Sequence, residues 1–69
     1  GDARYTSLRI YDAGGRLVRT LVEGTQRVGP HSVKWDGKNC SGRKVPPGIY
    51  IYQLSAGESR MTKKMVLLR

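Results

Sequence analysis

Cysteine occurs once in these 69 residues, at Cys40. That excludes an internal disulfide and any cysteine-based zinc cluster, so a hydrophobic core must carry the stability, and the redox compartment is unreadable. No apolar run approaches the roughly 20 residues that cross a bilayer, so no membrane-spanning helix is expected. Helical patterning is missing as well: no segment sustains an i, i+3, i+4, i+7 apolar stripe between caps. Carboxylates are scarce, with 5 Asp and Glu against 13 Lys and Arg and a formal charge of +8. Such a balance admits nucleic acid, anionic lipid or acidic glycan as partners. The cations, however, never run more than two together and several alternate with apolar residues, as on a solvated sheet face. The aromatic-and-basic stacking motifs of RNA-binding sheets are absent, so nucleic acid is not the expected partner. No signal peptide is visible, and the start Gly1-Asp2-Ala3 reads as a piece of a longer protein.

What is present is period-2 alternation, rich in β-branched and aromatic residues. Residues 4–11 read as a first strand, with Leu8 and Ile10 on one face and Ser7 and Arg9 on the other, followed by a turn at Asp12-Ala13-Gly14-Gly15. The second strand, residues 16–22, mixes Leu17, Val18, Leu21 and Val22 so that neither face is purely apolar, which predicts a bulge near Arg19-Thr20. After a polar connection over residues 23–29, residues 30–35 read as a third strand. It places His31, Val33 and Trp35 on one face, with Trp35 as a deeply buried core anchor. From Gly48, the run Ile49-Tyr50-Ile51-Tyr52-Gln53-Leu54 is apolar on both faces until Gln53, as in a central strand, and Pro47-Gly48 fits a type II turn. Ala56-Gly57-Glu58-Ser59 turns into a last strand over residues 60–68. The expectation is an all-β, antiparallel, immunoglobulin-like β-sandwich of about five strands, formed by residues 1–69 as one domain.

The stretch "SVKWDGKNCSGRKVPPGIYIYQL" holds the sole Trp and Cys, yet its polar residues read as turn formers rather than chemistry. Calcium takes six to eight oxygen ligands, whereas this loop offers the one carboxylate of Asp36 beside Lys38, Arg43 and Lys44. A Cys-His pair fails on phase, because His31 keeps step with Val33 and Trp35 while Cys40 sits at a loop tip. No catalytic residue, metal or cofactor is expected, and Cys40 reads as a free thiol.

Three fragments carry a family resemblance: "LRIYDAGGRLVRTLVEG", "HSVKWDGKNCSGRKVPPGIYIYQL" and "KKMVLLR". They resemble the immunoglobulin-like module of the flagellar hook-capping protein family and, more strongly, the C-terminal sorting domains of proteins exported by the bacterial type IX secretion system. The pattern falls on Ile10, Tyr11, Asp12, Gly15, Arg16, Val18 and Leu21, then on Trp35, Asp36, Gly37, Gly42, Val45, Gly48, Tyr50, Tyr52 and Leu54. Each has a structural reason: Asp12 and Asp36 accept backbone N–H groups at turn starts, the glycines permit positive φ, and the aromatics and Leu54 supply buried area. Relatives usually carry one or two strands before this hairpin, so the domain is either minimal or short of an N-terminal strand. In the second case an open sheet edge is left, to be met by residues 4–6 or by self-association.

The resemblance implies a non-catalytic C-terminal module of a secreted or surface protein that reaches its place through the periplasm. In the first reading it is an export and sorting signal recognised by a secretion machinery, with Lys63, Lys64 and Arg69 as a recognition tail. In the alternative it is an immunoglobulin-like spacer or hook-cap-type assembly module beside the preceding domains of its parent chain. A basic polyanion-binding module ranks third.

Overall fold

The computed structural model describes residues 3–27 and 33–68. Strands β1 (Ala3–Asp12), β2 (Leu17–Arg27), β3 (Gly48–Ala56) and β4 (Ser59–Leu67) form one antiparallel sheet in the order β2-β1-β3-β4. The chain is thus all-β, consistent with a small immunoglobulin-like β-sandwich. The named strands supply one layer, and residues of the 35–45 segment pack on one face of it.

Local chemistry sets the two hairpins. Ala56 pairs with Ser59 across the two-residue turn Gly57-Glu58, and Gly57 takes φ 60°, which a glycine adopts without steric penalty. Along β1 and β2 the register slips twice, between Leu8 and Arg9 and between Ile10 and Tyr11. Leu21 and Val18 are the extra residues, one on each side of the Arg19-Thr20 pair where the mixed pattern predicts a bulge. The slips explain that pattern, because both side chains reach the core cluster. β2 continues to Arg27, beyond the expected end at Val22, because Gly24, Thr25 and Gln26 still pair with Thr6, Tyr5 and Arg4. The residues expected to meet an open edge, 4–6, therefore lie in the interior strand β1.

Alternation along the ladder puts Leu8, Ile10, Tyr50, Tyr52, Leu54, Met65 and Leu67 on one face, and Ser7, Arg9, Tyr11, Ile49, Ile51, Lys64 and Val66 on the other. The first face carries the core. Ile10, Tyr50 and Val45 are 2%, 6% and 9% exposed, with Val18, Leu21, Trp35, Tyr52, Met65 and Leu67 packed around them.

Three expectations are corrected. Residues 33–35 form no strand, so the described residues hold four strands rather than five; residues 30–32, including His31, lie outside the described residues. Alternation alone does not place a segment in a ladder, and here Trp35 Nε1 bonds the Lys38 carbonyl while the Cys40 N–H takes the Val18 carbonyl at the edge of β2. Trp35 is partly buried rather than deep, and Val33 is 45% exposed, because these side chains sit at the margin of the single sheet's core. Gly48 has φ 150° rather than the roughly +80° of a type II turn, since it already pairs with Leu67 as the first residue of β3.

Candidate functional site

The chemistry-bearing residues gather at two corners. At the first, between β1 and β2, Asp12 Oδ1 accepts the N–H groups of Gly14 (3.0 Å) and Arg16 (2.9 Å). The Asp12 N–H donates to the Arg16 carbonyl at 2.9 Å, and the Gly15 N–H to the Asp12 carbonyl at 3.0 Å. Gly15 takes φ 87°, a conformation that strains any residue with a Cβ.

The second corner repeats this arrangement around Asn39. Asn39 Oδ1 accepts the N–H groups of Ser41 (2.9 Å) and Arg43 (3.0 Å), while the Asn39 N–H donates to the Arg43 carbonyl (2.9 Å) and the Gly42 N–H to the Asn39 carbonyl (3.0 Å). Gly42 has φ 80°. Asn39 was not singled out in the sequence beyond a general turn-forming role, yet the spacing is shared: Asp12-Ala13-Gly14-Gly15-Arg16 and Asn39-Cys40-Ser41-Gly42-Arg43 both have Asx, then Gly and Arg three and four residues on.

Asp36 anchors the same loop to the sheet. Its Oδ1 accepts the Lys38 N–H at 3.0 Å and Arg19 Nη1 at 2.7 Å, and Arg19 also donates to the Lys38 carbonyl at 3.3 Å. Trp35 Nε1 donates to that carbonyl at 2.9 Å, so strand β2, the indole and the loop converge on one acceptor. Buried Gly37 follows, and its carbonyl accepts the Val45 N–H at 2.9 Å. Cys40 donates its N–H to the Val18 carbonyl at 3.0 Å, while the residue itself is exposed. Tyr50 closes the corner from β3, donating its hydroxyl to the Pro46 carbonyl at 2.6 Å and meeting Trp35 edge-on at a centroid distance of 5.2 Å.

Desolvation raises the Asp36 carboxyl, but the Lys38 N–H and the charge of Arg19 outweigh it, and the group titrates below its ordinary value. A carboxyl depressed in the folded state adds stability above its unfolded pKa of about 3.9 and loses it as pH falls through the lower folded value. Asp36→Asn is therefore expected to lower the melting temperature at pH 7, and the gap to the parent is expected to close below about pH 4. Thermal melts from pH 7 to pH 2 check this, and a gap constant with pH would assign the effect to hydrogen-bond geometry rather than charge.

These corners spend their polar groups on the chain itself, and what they do is hold the loop against the sheet. Tyr52 and Leu54 lie further along the core face of β3, where with Leu8, Leu21 and Trp35 they line an open groove of about 850 Å³. Lys63 and Lys64 are exposed on β4, opposite Tyr52 and Ile51, at the other end of the sheet order from β2; Arg69 lies outside the described residues. No helix of the described residues is long and apolar enough to cross a membrane.

The sequence matches the family described as the FlgD Ig-like domain over residues 1–60. It is 47% identical over 47 residues to the basal-body rod modification protein FlgD of Salmonella typhimurium, and equally to that of Salmonella typhi. Those alignments take in 68% of this chain but 20% of each relative, so the chain spans about a fifth of the length of the curated relatives it matches. No solved structure gives a significant match.

Proposed function

Because the chain belongs to the FlgD Ig-like domain family, we propose that it is a non-catalytic structural module of an exported flagellar hook-assembly protein. The observation that carries this reading is the family match across residues 1–60, joined to the 47% identity with FlgD of Salmonella typhimurium. It favours the assembly module over the type IX sorting signal, which rested on the same hairpin motifs and on the basic last strand. The corners support it too, since Asp12, Asp36, Asn39 and Tyr50 are engaged in holding turns. The partners in this reading are proteins of the hook-assembly apparatus and the other domains of the parent chain, and the place of action is outside the cytoplasm.

Domain exchange tests the proposal. The segment of Salmonella typhimurium FlgD that aligns with this chain is replaced by it, and hook formation and swimming are scored in a strain lacking FlgD. The chimera is expected to restore hooks, and the same chimera carrying Tyr50→Ala is expected not to. The sorting reading makes the opposite forecast. Residues 1–69 fused to a periplasm-directed reporter, in a host with the type IX system, would send the reporter to the surface and fail to do so without residues 63–69. Surface delivery of that reporter, with no hooks from a stable chimera, would replace the assembly reading.

A further inference from the structure

The two edges of the sheet are treated differently. The edge of β2 is covered near its start, where the Val18 carbonyl takes the Cys40 N–H and Arg19 is tied to Asp36 and the Lys38 carbonyl. β4 packs against β3 alone among the strands, and its other edge has no strand or loop hydrogen-bonded to it among the described residues. Every second residue along Ser59–Leu67 therefore directs its backbone N–H and C=O away from β3, toward an edge where no described residue hydrogen-bonds them.

Open edges invite a copy of the same strand, but charge opposes that pairing here. β4 carries Arg60, Lys63 and Lys64 and no carboxylate, so an antiparallel β4–β4 pair would gather three cations from each copy in one ladder. The same charges favour a strand of opposite sign. Lys63 and Lys64 project to opposite faces, and the exposed apolar side chains Met61 and Val66 lie two residues from Lys63 and Lys64, each on the same face as its lysine.

From this geometry we propose that the outer edge of β4 docks an extended segment of another protein, which joins the sheet as an added strand. That segment carries two adjacent carboxylates opposite Lys63 and Lys64 and apolar residues beside them to meet Met61 and Val66. Backbone pairing supplies the attachment, and the alternating side chains supply the selection. The proposal rests on the open edge and its charge, not on the flagellar reading, so it stands or falls separately from the domain exchange.

The test is an NMR titration of the 69-residue chain with defined probes. The first is an eight-residue Thr/Val peptide with two central Glu residues. The others are the same peptide with Lys for Glu, the Glu peptide N-methylated at alternate residues, and an oligothymidylate of similar charge. The expected result is that the Glu peptide alone shifts the amides of residues 59–67 and slows their hydrogen exchange, with affinity falling as salt is raised. N-methylation is expected to abolish binding. The double variant Lys63→Glu, Lys64→Glu is expected to weaken the Glu peptide about tenfold or more and to accept the Lys peptide instead, as charge complementarity requires.

Several results would overturn the proposal: no binding of the Glu peptide, shifts centred on Leu8 and Leu54 instead of β4, or equal binding of the N-methylated peptide. Equal binding of the oligothymidylate would reduce the edge to a general polyanion surface and would overturn it too. An unchanged affinity of the Glu peptide for the double variant, shown to be folded by its own spectrum, would do the same.

Discussion

Tyr50→Ala is expected to unfold the domain at room temperature or leave it close to its midpoint. Tyr50 is 6% exposed and packs with Ile10 and Val45 at the centre of the core, its ring meets Trp35 edge-on at 5.2 Å, and its hydroxyl bonds the Pro46 carbonyl at 2.6 Å. Truncating a buried aromatic costs about 3–5 kcal/mol. A chain of this length has a total stability on the order of 3–10 kcal/mol, so the loss consumes much or all of it. Tyr50→Phe separates the two contributions: it keeps the ring and removes the hydroxyl bond, for an expected loss of about 1 kcal/mol. Urea denaturation followed by far-UV circular dichroism checks both. A midpoint for Tyr50→Ala within experimental error of the parent would mean that the core is not centred on β3.

Trp35→Ala is expected to cost less, about 2–3 kcal/mol, below the range for a fully buried aromatic because Trp35 is only partly buried. The loss has two parts, the edge-on contact with Tyr50 and the Nε1 bond to the Lys38 carbonyl. The second part should be visible locally: without the indole, the Lys38 carbonyl retains Arg19 at 3.3 Å, and hydrogen exchange at Asn39 and Val45, whose N–H groups pin the loop, should rise before the sheet opens. Native emission of Trp35 is expected between that of a buried and a free indole, with partial quenching by acrylamide. An emission maximum of a fully buried indole, together with a loss as large as that of Tyr50→Ala, would show that a further layer covers it.

How far these residues were legible in the sequence varied with the range of the interaction. The turn at Asp12 and the final hairpin depend on contacts within five residues, and glycine placement with alternation was enough to locate them. The bulges in β2 were legible as a broken pattern around Arg19-Thr20, because Val18 and Leu21 must both face the core while the ladder continues. The side-chain bonds of Asn39 were less legible than those of Asp12, which they mirror, because no alternating strands flank residues 39–43 to mark them as a hairpin turn. The lysines of β4 were visible as a basic, apolar strand, but their place on the last strand of the sheet order was not.

By itself, then, the sequence determined the all-β class, the two tight hairpins and the turn chemistry of Asp12 and Asp36, all of which follow from backbone preferences and side-chain reach over a few residues. Only the tertiary structure decided that residues 33–35 stay outside the sheet, that Trp35 stops at the margin of the core, and that among the described residues nothing is hydrogen-bonded to the outer edge of β4. The reason is physical: alternation states that a segment can form a strand, whereas its place is set by contacts between segments distant in sequence, such as the order β2-β1-β3-β4 and the edge-on contact of Trp35 with Tyr50.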